Sequence, residues 1–140
     1  MNVKRTIIFS ALSVVVLIAI SGLLPSVFFF GKMSYESVRE HLHRISFNSA
    51  SWRDEKQVNS EDPVRIRMVD DLIRSRRLDR LTRPELEQLL GKSSTTNYFK
   101  EYDFVYWLGP QRGPFKVDDE WLVIKLDRRG VVEKYAIVRD

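Results

Sequence analysis

The sequence predicts an α+β fold: an N-terminal transmembrane helix, then a small two-layer domain with a helix pair packed on a three-stranded antiparallel meander. Three observations lead there. Residues 7–30, IIFSALSVVVLIAISGLLPSVFFF, carry no charge. Two later segments place apolar residues at helical spacing, and three segments after them alternate between apolar and polar positions. Helix, helix, strand, strand, strand with short links is most simply met by a meander covered on one face.

The chain has 140 residues, enough for one domain and a further segment. About 20 apolar residues cross a bilayer core as a helix, so 7–30 reads as a span, with Pro25 bending its outer end. The organisation expected is an anchor in 1–30, a juxtamembrane helix and loop in 31–61, and the folded domain in 62–140. A cleaved signal peptide is the alternative, with Ala19-Ile20-Ser21 before Gly22 as its cleavage site. The hydrophobicity that continues through Phe28 to Phe30 favours an uncleaved anchor. Lys4 and Arg5 before the span keep the N-terminus in the cytoplasm and put the domain outside it. With no cysteine there is no disulfide and no lipidation site of the lipoprotein kind. The net charge of +4 suits an acidic partner or anionic lipid and is too small to argue for nucleic acid.

Gly31 ends the span and Ser34 caps the next helix, whose stripe is Tyr35, Val38, Leu42 and Ile45. Residues 46–62 read as a polar loop pinned by Phe47 and Trp52. Asp62 and Pro63 look like N-cap and first position of a helix with Ile66, Met68, Val69, Leu72 and Ile73 inward. Its outer face offers Arg67–Asp71 and Asp70–Arg74 pairs. Thr82 and Glu85 form a capping box for a short helix with Leu86, Leu89 and Leu90 inward and Gly91 at its end. The strands are 98–108, 120–127 and 131–138, with a tight turn at Asp127-Arg128-Arg129-Gly130. Tyr102, Phe104, Tyr106 and Leu108 share one face of the first strand; Glu101, Asp103, Val105 and Trp107 share the other.

No reaction centre emerges. His41 and His43, at i and i+2 of a helix, diverge by about 200° and cannot grip one metal. Ser93, Ser94, Thr95 and Thr96 have no histidine nearby in sequence to act as base. Glu101 and Asp103 suit acid–base work only in a buried cleft, which a three-stranded sheet hardly offers. The glycine- and proline-rich run 109–114 joins strand to strand, and its prolines lack amides an anion nest uses. Arginines between 65 and 83 are interleaved with acids, which argues against nucleic acid. The expectation is a protein with no catalytic residue, cofactor or metal.

The runs RIRMVDDLIRSRRLDRLTRPELEQLLGK, YDFVYWLG and EWLVIKLDRRGVVEKYAIV resemble the BamE-like (SmpA/OmlA) domain over roughly half the chain. Leu89-Leu90-Gly91, Tyr106-Trp107-Leu108-Gly109 and the turn from Leu126-Asp127 to Gly130-Val131 carry the likeness. Arg80 stands where that pattern has glycine, and Ser93 where it has proline. The resemblance implies this fold and a non-catalytic, partner-binding habit; together with the span, it leads to the expectation of a bacterial envelope protein, single-pass in the inner membrane, that binds a protein partner. A structural envelope protein acting by self-association is the alternative, and an enzyme using surface carboxylates a further one. The hairpin of 109–119 exceeds the usual two to five residues, so Trp107, Arg112 and Phe115 are the expected partner-binding anchors.

Overall fold

The computed structural model describes residues 28, 31–32, 34–35, 43–113 and 116–140. The chain divides into two compact units, Met1–Val38 and Arg39–Asp140. In the first, Phe28, Gly31, Lys32, Ser34 and Tyr35 are helical, where a stop at Gly31 and a cap at Ser34 are expected. Apart from Phe28, the expected span lies outside the described residues, and no helix among the described residues is long and apolar enough to cross a membrane.

The second unit is α+β. Among its described residues, four helices, α1 (Ser49–Arg53), α2 (Glu55–Val58), α3 (Val64–Arg74) and α4 (Arg83–Leu90), precede β1 (Phe104–Pro110), β2 (Asp119–Leu126) and β3 (Val132–Arg139). The strands form an antiparallel sheet in the order β1-β2-β3. One sheet face supplies Phe104, Tyr106, Leu108, Leu122 and Ile124 to the main core, against Met68, Val69, Leu72, Leu86 and Leu90 of α3 and α4. Burial of this shared apolar face holds the two layers together.

The segment expected as a loop outside the domain belongs to its core. Asn48 and Asp54 accept amide hydrogens from Ser51 and Lys56, which starts two short helices. Trp52 is fully buried, with Phe47 and Val58 beside it. Asp62 does not cap α3. Pro63 stands at that position and Asp62 pairs with Arg67 at 3.0 Å instead. The expected i,i+4 pairs on α3 are replaced as well. Asp71 accepts the Phe47 amide at 2.9 Å and pairs with Arg74 at i,i+3, while Asp70 turns to Arg44 and Arg112. Asp70 is thus held by partners from outside the helix, and Asp71 by one such partner and one neighbour on the same helix.

The box at α4 forms: the Glu85 carboxylate accepts from the Thr82 amide at 2.8 Å and from its hydroxyl at 2.7 Å. The turn at Asp127 also forms, with Gly130 at φ 77° and the Asp127 carboxylate accepting the Arg129 and Val131 amides. β1 begins later than expected. Residues 98–103 are turns, so Glu101 and Asp103 do not share a strand face. Phe99 and Tyr102 from this stretch cover Val105, Trp121 and Val123, making a second apolar cluster on the other side of the sheet.

Candidate functional site

The hairpin between β1 and β2 is shorter than expected, because pairing continues through Gly109↔Glu120 and Pro110↔Asp119. A bulge at Leu108 shifts the register there. Gly109 has φ 141°, and a Cβ on it would meet Pro63 carbons at 3.1 and 3.2 Å. This position needs glycine for both conformation and space.

Arg112 turns inward from this hairpin. Its Nε donates to Glu120 at 2.9 Å, its Nη1 to both Asp70 oxygens at 3.0 and 2.9 Å, and its backbone amide to Glu120 at 3.2 Å. Its Nη2 lies 2.8 Å from Glu120, which is 1% exposed. Arg139 reaches the same carboxylate at 3.2 Å, and Arg44 reaches Asp70 at 2.8 Å. Burial pushes the Arg112 pKa down, but its hydrogen bonds to Glu120 and Asp70, and their negative charges, outweigh it and raise it overall. The group is a permanent cation clasping the hairpin to α3.

Of the three expected anchors, Arg112 therefore has its donors committed inside the chain. Trp107 is half-buried and packs against both apolar clusters. Phe115 lies outside the described residues.

The other candidates for chemistry are structural. Asp103 accepts the Leu126 amide at 2.9 Å and lies 3.4 Å from Lys125. The Ser93 hydroxyl bonds both the amide and the carbonyl of Val105, and the Ser94 hydroxyl accepts the Trp107 amide. His43 offers its carbonyl to Arg67, and His41 lies outside the described residues. Among the described residues, no group of three or more metal-ligating side chains comes together.

A groove on the helical side has a different character. It encloses 630 Å³, is open to solvent, and runs between α1 and α4, lined by Ser49, Arg53, Arg77, Leu81, Gln88 and Leu89 among others. Its volume falls in the range of ordinary binding pockets. The Ser49 hydroxyl donates to the Leu89 carbonyl and fixes the two walls together. Arg53 donates Nε to the Ser49 carbonyl at 3.1 Å, and its stem packs on Gly91. Arg77 lies over the Phe47 ring at 5.8 Å. Neither arginine makes an ion pair among the described residues. The groove's Glu85 is turned to Thr82, whose hydrogen bonds hold its pKa below the ordinary value. Two cations thus flank an apolar floor. A second hollow, of 280 Å³ beside Arg44 and Asp70, has its carboxylates already bound by arginines and the Phe47 amide.

Sequence reasoning missed this groove because Ser49 and Arg53 lie in the stretch read as loop. Only Phe47 and Trp52, large apolar residues in a polar run, signalled that the stretch packs on the domain. Arg65 was missed too. It is buried on α3, donates to the Trp52 carbonyl at 2.9 Å, and stands over the Trp52 and Tyr106 rings at 5.4 and 5.6 Å. Burial lowers its pKa and raises that of Tyr106, whose hydroxyl donates to Gly91.

Comparison with protein families, curated proteins and solved structures returns no match to this chain.

Proposed function

We propose that this chain is a membrane-tethered, non-catalytic binding module whose α1/α4 groove takes an acidic segment of a protein partner. The carrying observation is charge: Arg53 and Arg77 line the groove beside Leu81 and Leu89, Glu85 of the same groove is turned to Thr82, and Arg77 acts on Asp71 through space without forming an ion pair. Arginine beside apolar surface is a usual composition of interface hot spots. An open groove suits a chain segment better than a small molecule, which sites normally enclose.

The tether in this reading is the uncharged stretch 7–30, with the domain outside the cytoplasm of a bacterial cell. The BamE-like resemblance of helix pair, YWLG hairpin and final hairpin agrees with a partner-binding habit in the envelope. A photoreactive residue at the exposed position Gln88, in cells, tests the reading. The expected result is one discrete protein adduct that disappears when Arg53→Gln and Arg77→Gln are added. An adduct indifferent to those changes, or none, would overturn it. Carbonate extraction tests the tether: the chain stays with the membrane pellet, and release into the supernatant would count against it.

A further inference from the structure

The sheet has two outer edges, and they are treated differently. The edge of β1 is closed by its own chain. Val105 receives the Ser94 amide at 2.8 Å on its carbonyl and gives its amide to the Ser93 hydroxyl at 2.9 Å. The start of β3 is closed too. The Val132 amide donates to the Leu81 carbonyl at 2.8 Å, and Thr82 bridges Val131. Beyond Val132 nothing among the described residues pairs with the outer side of β3.

The direction of the free groups follows from the ladder. Val105 points its backbone groups away from β2, so Val123 opposite it points toward β3 and meets Ala136. Ala136 therefore faces inward, and the amides and carbonyls of Tyr135 and Ile137 face out. Side chains alternate independently of this. Tyr135 and Ile137 pack on the main core, while Val138 packs on the cluster of the other face.

We infer that this edge pairs with β3 of a second copy, antiparallel, with the two-fold axis at Ala136. That register sets Tyr135 against Ile137 of the other copy as a hydrogen-bonded pair, twice. It sets Glu133 against Arg139 of the other copy, also twice; Arg139 gives Nη2 to its own Glu120 at 3.2 Å, and its side chain is still 53% exposed. Glu133, Lys134, Ala136 and Arg139 are all exposed. The smallest side chain stands on the axis, at a non-hydrogen-bonded pair where strands approach most closely, about 4.5 Å between Cα atoms. Lys134 falls opposite Val138 and well away from its own copy. An exposed edge lysine such as Lys134 discourages pairing in general; this register sets Glu133 and Arg139, of opposite sign, together. The product is one six-stranded sheet, and it leaves the α1/α4 groove uninvolved.

The chain has no cysteine, so single cysteines report the register directly. In the full chain in detergent, Ala136→Cys forms an intermolecular disulfide under mild oxidation, because its Cα separation lies in the disulfide range. Lys134→Cys, far from its own copy, serves as the comparison and crosslinks poorly. Adding Glu133→Lys to Ala136→Cys lowers the crosslinking rate by about tenfold, since two attractive pairs become repulsive. Circular dichroism confirms that each variant folds. Equal crosslinking at both positions would mean association through another segment, such as 7–30, and would overturn the inference. No crosslink at Ala136→Cys, or a rate indifferent to Glu133→Lys, would do the same.

Discussion

Arg112 was legible in the sequence as the one arginine of a long hairpin; its destination was not, because Asp70 lies 42 residues away and Glu120 reads as an ordinary strand terminus. Replacing Arg112 by alanine leaves Glu120, 1% exposed, with Arg139 alone. Removing one partner of a buried pair is costly, and the partial exposure of Arg112 moderates it, so a loss of about 2–4 kcal/mol is expected in urea denaturation. A loss below about 0.5 kcal/mol would mean the clasp is a surface pair. Arg80 makes the opposite case. It has φ 61°, in the left-handed region that glycine occupies without strain. Arg80→Gly is therefore expected to raise stability by about 0.5–1 kcal/mol, read as a higher thermal midpoint. The positive φ at this position, between α3 and α4, was visible only in the backbone.

Elements that depend on local chemistry were legible, and elements defined by distant contacts were not. α3, α4 and the three strands follow from periodicity, and the turns at Thr82 and Asp127 from capping and turn residues. α1 and α2 have too few residues for a helical stripe to show, and their caps Asn48 and Asp54 also fit a loop. Near the end of β1 Pro63 closely approaches Gly109, so Gly109→Ala should cost about 1–3 kcal/mol in urea denaturation. Elements are also joined through carboxylates. Asp79 accepts the Tyr135 hydroxyl at 2.7 Å, linking the α3–α4 connection to β3, and this bond chiefly lowers its pKa from 3.8. The pKa of Asp71 is lowered chiefly by the Phe47 amide, and that of Asp127 by the Val131 amide. A folded pKa below the unfolded one gives stability that is complete above the unfolded value and lost as pH falls through the folded value. The thermal midpoint should therefore be level above about pH 5 and fall below about pH 4. Tyr135→Phe should flatten part of that fall; an unchanged slope would show that Asp79 does not contribute to it.

At the scale of the whole molecule, the described part of the Arg39–Asp140 unit packs its apolar residues into two clusters, one on each side of the sheet. The sheet face away from the helices is covered by Phe99 and Tyr102, and the hairpin cation is bound inside. Among the features its described residues leave outward are the groove with Arg53 and Arg77, Val117 at 82% exposure near the hairpin tip, Tyr98, and the β3 edge. The groove was illegible in the sequence because its walls, α1 and α4, meet only in the fold. The anchors expected on the hairpin were chosen by residue type, and type does not reveal that Arg112 has partners 42 and 8 residues away. The most direct test of the central claim sets photoreactive residues at Gln88 and Val117 side by side in the full chain, in cells. The account predicts a discrete partner adduct from Gln88 that needs Arg53 and Arg77, and none from Val117. A partner adduct from Val117 alone would contradict it and return the binding surface to the hairpin.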